Sequence, residues 1–146
     1  MADLRALAKE VLDDAFLMTL ATQDAEGPWA ASVIFVADKD FNIYWMSKSD
    51  ARHSRAIAEG GKVAVAITAS WQENKERAIQ IEGTAQRIDS ISPTIMSALS
   101  AKRGKKPEPD TAAFILERGL IWYKLTPTRI ELIYNELFDY DRQRVL

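Results

Sequence analysis

Apolar positions along the chain follow two different periods. Leu4, Leu7, Ala8, Val11 and Leu12 recur at three- and four-residue spacing, one face of a helix that Asp3 is placed to cap. From Ala15 the pattern shortens to β-rich runs broken by turn residues: AFLMTLAT at 15–22, PWAASVIFVA at 28–37 and FNIYWMS at 41–47, with DAEG and ADKD between them. Three antiparallel strands in succession are the natural reading, with the first helix lying over them.

A second helix is expected to start at Ser49-Asp50, both good N-caps, and to stop at Gly60-Gly61, where a left-handed C-cap costs little. KVAVAITAS at 62–70 and AIQIEGTAQRID at 78–89 read as two more strands joined by the polar segment WQENKER. Residues 91–102 and 110–118 suit helices around the loop KRGKKPEPD, and LIWYKLTP with RIELIYN supplies the last strand. Six short strands with few helices predict a mainly β protein with flanking helices. Closing the sheet into a barrel removes the exposed edges of a small antiparallel sheet.

The length, 146 residues, suits one domain spanning 1–146. Hydrophobic residues make up 47% and charged residues 27%, the balance of a globular protein with a packed core. A formal net charge of -2 speaks against a nucleic-acid partner, which needs clustered Lys and Arg. With no cysteine there is no disulfide framework, thiolate nucleophile or cysteine-ligated metal, which suits a reducing compartment. The charges in MADLRALAKEVLDD interrupt any apolar stretch of signal-peptide or membrane-span length, so the expected location is the cytoplasm, without membrane contact. Gly-rich phosphate loops, nucleophile elbows and paired-histidine metal motifs are lacking, and one histidine builds no cluster by itself.

Candidate chemistry concentrates in IYWMSKSDARHSRAIAEGGKVAVAI, where a predicted strand ends in Ser47 and Lys48 and Arg52 and His53 follow at the start of a helix. Hydroxyls, cations and free backbone N–H groups suit a phosphate ester, because a helix N-terminus presents unpaired donors and Arg adds a planar fork. A capped surface helix with solvated charges would carry the same residues.

The chain resembles the pyridoxamine 5'-phosphate oxidase-like FMN-binding split barrels. The resemblance spans roughly residues 15–135 and rests on FLMTLATQDAEGPWAASVIFV, YWMSKSDARHSRAIAEGGKVAVAI and WQENKERAIQIEGTAQRI in that order. It implies a six-stranded antiparallel split β-barrel, FMN as cofactor and a homodimer with flavin sites at the subunit interface. It also implies that the backbone at Ser32, Val33 and Ile34 passes beside the flavin ring. Met46, Ser47, Lys48, Arg52 and His53 would hold the phosphate and ribityl chain, and Trp71 stands at a position similar to a family tryptophan. His53 stands where the family usually has lysine, which makes its charge depend on pH near neutrality.

The departures bear on the substrate. Ala31, Val36 and Ala78 stand where the authentic oxidase has arginine, lysine and glutamine, and IELIYNELFDYDRQRVL replaces its C-terminal arginine-histidine motif. Pyridoxamine phosphate is therefore not the expected substrate; the likeness is to shorter general-stress-type members. The implied activity is hydride transfer through FMN on an unknown small molecule, with two alternatives: a non-catalytic flavin- or haem-binding module, or a deazaflavin-dependent reductase. Glu82 would be a general base only if buried and reads first as a salt bridge inside the barrel or a dimer contact, Trp122, Tyr123 and Tyr134 read as core or interface, and KRGKK at 102–106 reads as a solvated loop.

Overall fold

The structure, a computed structural model, describes residues 2–104, 115 and 117–146. Helix α1 (Leu4–Asp14) starts as its sequence requires, with the Asp3 carboxylate accepting from the Arg5 and Ala6 N–H groups at 3.1 and 3.2 Å. Its apolar stripe buries Ala8, Val11 and Leu12. Strands β1 (Leu17–Asp24) and β2 (Gly27–Ile34) form a hairpin paired from Leu17–Ile34 to Asp24–Gly27, with Gly27 at φ +117, a conformation other residues rarely adopt.

The expected run 28–37 is interrupted at Phe35, which is fully buried, and resumes as the two-residue strand β3 (Val36–Ala37). The turn to β4 (Ile43–Lys48) is held by Asp38, which accepts from the N–H groups of Asp40 and Asn42 and from the Tyr44 hydroxyl. Helix α2 (Arg52–Glu59) begins later than expected: Ala51 takes the N-cap position and no side chain caps it, while Ser49 and Asp50 lie in the exposed turn before it. Nor is the helix end left-handed. Gly60 has φ -166, and Gly61 is needed instead for close packing, since a Cβ there would lie 2.6 Å from the Ala85 carbonyl oxygen.

Strands β5 (Lys62–Ser70) and β6 (Arg77–Ile88), helix α3 (Pro93–Lys102) and strand β7 (Leu120–Tyr134) follow, and a four-residue helix α4 (Asn135–Phe138) leads to β8 (Gln143–Arg144). Among the described residues the sheet has eight strands, not six: β2-β1-β5-β6-β7-β4-β3, with β8 added to β7. The two beyond expectation, β3 and β8, have two residues each. Of the helix expected at 110–118, all but Ile115, Glu117 and Arg118 lie outside the described residues, as do Lys105 and Lys106 of the charged loop.

β2 and β3 are the two ends of this sheet yet are joined through a single residue, Phe35, so the sheet must curl until its ends approach. This is the split barrel. Inward positions alternate along β1 (Met18, Leu20), β5 (Val63, Val65, Ile67) and β6 (Ile79, Ile81), and α1 closes the core they line. Trp45 stacks on Tyr123 at 5.7 Å inside it. A smaller cluster of Val36, Ile95, Leu99, Ile115 and Trp122 seats α3. The long strand β7 pairs with both β4 and β6 and shifts register opposite Gly83, where a Cβ would strike the Thr126 carbonyl oxygen. No helix among the described residues is long and apolar enough to cross a membrane.

Candidate functional site

The start of α2 lies against the β1–β2 hairpin and the end of β4. The first N–H groups of any helix lack intrahelical partners, and here the cap residue, Ala51, supplies no side-chain acceptor. From this first turn Arg52 and His53 reach in different directions. Arg52 Nε donates to Asp24 Oδ2 at 2.9 Å and Nη2 to Oδ1 at 3.2 Å, while the guanidinium lies 4.6 Å above the Trp29 ring. This fork holds Asp24 below the usual carboxylate range and raises Arg52 further. His53 Nε2 lies 2.8 Å from the buried Ser47 Oγ, and burial of the ring lowers the imidazole from its ordinary value.

Two buried hydroxyls on the elements that meet here, Thr22 Oγ1 and Ser54 Oγ, have no hydrogen-bond partner among the described residues. Ser47 and His53 are thus paired, whereas Arg52, adjacent in the chain, is engaged by Asp24 and Trp29 of the hairpin. Met46 instead turns to the cluster beneath α3, and Lys48 is exposed.

Ser32, Val33 and Ile34 lie further along β2, toward its junction with Phe35. Trp29 and Val33 are four strand residues apart, a span of about 13 Å. Among the described residues β2 pairs with β1 on one side only, and it is partly exposed along its length. Trp71 is 76% exposed in the connection after β5, at the Ile67 end of that strand, whereas Arg52 binds the opposite end of the hairpin.

Glu82 is exposed on the outer sheet face, so the burial a general base would need is not met. Two readings need correction. Lys102 is not a solvated loop residue: its ammonium donates to the Phe35 carbonyl at 2.8 Å and sits 3.9 Å from the Phe35 ring. Asp24, read only as turn chemistry, is the principal partner of Arg52. Its 28-residue separation gave no local signal. The lysine-to-Val36 and glutamine-to-Ala78 departures both fall at buried positions, Val36 in the cluster that seats α3. Trp122, Tyr123 and Tyr134 are buried, as core residues should be. No group of three or more His, Cys, Asp or Glu suited to a metal occurs among the described residues.

With fold and cluster defined, comparison assigns the chain. The family model described as Pyridoxamine 5'-phosphate oxidase matches residues 4–132, and the chain belongs to that family. Solved structures agree on the fold at low identity. A conserved hypothetical protein from Mycobacterium tuberculosis shares 12% identity at a TM-score of 0.75, covering 100% of this chain and 92% of its own. The General Stress Protein 26 from Bacillus anthracis shares 19% at 0.65, covering 97% and 98%. The haem storage protein HutZ from Vibrio cholerae shares 16% at 0.63, covering 90% and 91%. None of the curated proteins matches.

Proposed function

We propose that this chain binds FMN, with the phosphate against the first turn of α2 and the ring beside Ser32, Val33 and Ile34 of β2, and acts as a flavin-dependent oxidoreductase on a small molecule. The observation that carries the reading is the helix start without a side-chain cap, beside Arg52 and the His53–Ser47 pair. Free N–H donors, a guanidinium and hydroxyls are the donor set a phosphate ester takes, and the unpartnered Ser54 hydroxyl belongs to the same helical turn. The roughly 13 Å of β2 between Trp29 and Val33 suits a ligand as elongated as a ribityl phosphate.

FMN, when bound, supplies the hydride chemistry. The chain's own contribution is binding and orientation, and no side chain is assigned as acid or base.

The sites are proposed to form in a homodimer. An outer face of small residues, Thr19, Ala21, Ala64 and Ala66, is exposed, and Leu17 and Trp29 of the β1–β2 hairpin and Phe16 just before it are exposed as well. Cytoplasmic location remains part of the proposal.

Titration of the purified protein with FMN tests it. Saturable binding with a perturbed flavin spectrum is expected, and a protein that takes up no flavin overturns it. Turnover with NADH or NADPH and an acceptor separates an enzyme from a storage or sensing module, and mass spectrometry of the extracted native cofactor separates FMN from a deazaflavin. Haem would give a Soret band. His53 is the one histidine in the chain, and its Nε2 already faces Ser47, so flavin is the reading retained.

A further inference from the structure

Arg52 is held at both its edge and its face. The β1–β2 turn presents Asp24 so that both carboxylate oxygens meet the guanidinium, and Asp24 Oδ1 also accepts the Glu26 N–H at 2.9 Å, fixing the carboxylate within the turn. Trp29 covers the guanidinium face. Glu26 adds a second carboxylate 4.0 Å from Nη2. One guanidinium thus faces two carboxylates, and side-chain exposures of 23% for Arg52 and 16% for Asp24 make the inner pair a partly exposed one. A phosphate dianion seeks the same forked edge that Asp24 occupies, and it would meet negative charge while Asp24 stays in place.

We infer that Asp24 is an internal competitor for the phosphate subsite: the carboxylate occupies the Arg52 fork in the unliganded protein, and a phosphate ester gains Arg52 only by displacing it. The β1–β2 turn thereby sets how strongly the site favours a phosphorylated ligand over its uncharged counterpart. This rests on reading the start of α2 as the phosphate subsite. The opposite role, in which Asp24 positions Arg52 for the phosphate, predicts the opposite sign.

The test is titration of FMN and riboflavin into wild type, Asp24→Asn, Glu26→Gln and the double variant Asp24→Asn/Arg52→Ala, with melting temperatures to verify folding. Asparagine keeps the oxygen that accepts the Glu26 N–H, so the turn is retained. Asp24→Asn should bind FMN about three- to tenfold more tightly, the scale of releasing a partly exposed ion pair. Riboflavin affinity should be unchanged, Glu26→Gln should have a much smaller effect, and the gain should vanish without Arg52. Unchanged or weaker FMN binding by Asp24→Asn overturns the competition while leaving the FMN reading intact. An equal gain from Glu26→Gln also overturns it, since the effect would then be general surface charge. Failure of every variant to bind FMN overturns both readings.

Discussion

His53 Nε2 and Ser47 Oγ lie 2.8 Å apart, tying the second residue of α2 to the end of β4. The ring is half-buried, and burial lowers its pKa from the ordinary 6.5, so at neutral pH it is an uncharged imidazole. The unfolded chain therefore binds more protons than the folded one in mild acid. The His53 contribution to stability is complete above 6.5 and is lost as pH falls through the lowered folded value. Asp24 and Asp38, both lowered from 3.8, lose their contributions only in stronger acid. Thermal melts between neutral pH and about pH 5 should show wild type losing stability more steeply than His53→Gln. Parallel curves would show that the imidazole does not govern this window.

Arg52→Ala should weaken FMN binding by about tenfold to a hundredfold and leave riboflavin nearly unaffected, because only the phosphate needs the charge. Displacement of Asp24 consumes part of what Arg52 offers, so the loss should fall toward the smaller end of that range. Fluorescence titration of both flavins checks it; equal losses for the two would point to general damage rather than a phosphate grip.

Gly83→Ala should destabilise the barrel by about 1–3 kcal/mol, the cost of forcing extra atoms into a packed interior. The added methyl would meet the Thr126 carbonyl oxygen and crowd the Pro127 backbone at the register shift between β6 and β7, where strand backbone has little room to yield. Chemical denaturation measures this directly, and a variant as stable as wild type would mean that the bulge relaxes freely.

Lys102→Met should cost about 1–2 kcal/mol by removing the donor from the Leu12 and Phe35 carbonyls that anchors α3. Burial pushes the amine down to about 8 from 10.5. Between those values the unfolded chain binds more protons, so wild type should gain stability relative to Lys102→Met as pH rises above about 8. A gap that stays constant across that range would show that the lysine is not desolvated.

The sequence by itself determined the elements whose signals are local. Asp3 and the apolar stripe from Leu4 to Leu12 specify α1, and alternation along Met18–Leu20 and Val63–Ile67 specifies which strand faces meet the core. It also brought Ser47, Arg52 and His53 into view, since these lie within seven residues at a strand-to-helix junction. What tertiary structure decided lies between residues far apart in the chain. Phe35 divides a continuous apolar run because the curled sheet must pass there from one edge to the other, and apolar periodicity does not register such a corner. Lys102 looks like part of a solvated charge run until the fold sets Phe35 and Leu12 carbonyls around it. Asp24 reads as an ordinary turn residue, and only the closing of the hairpin against α2 aims it at Arg52. A charged side chain's partner is chosen by proximity in space, and the hydrophobic pattern that dictates the fold carries no record of that choice.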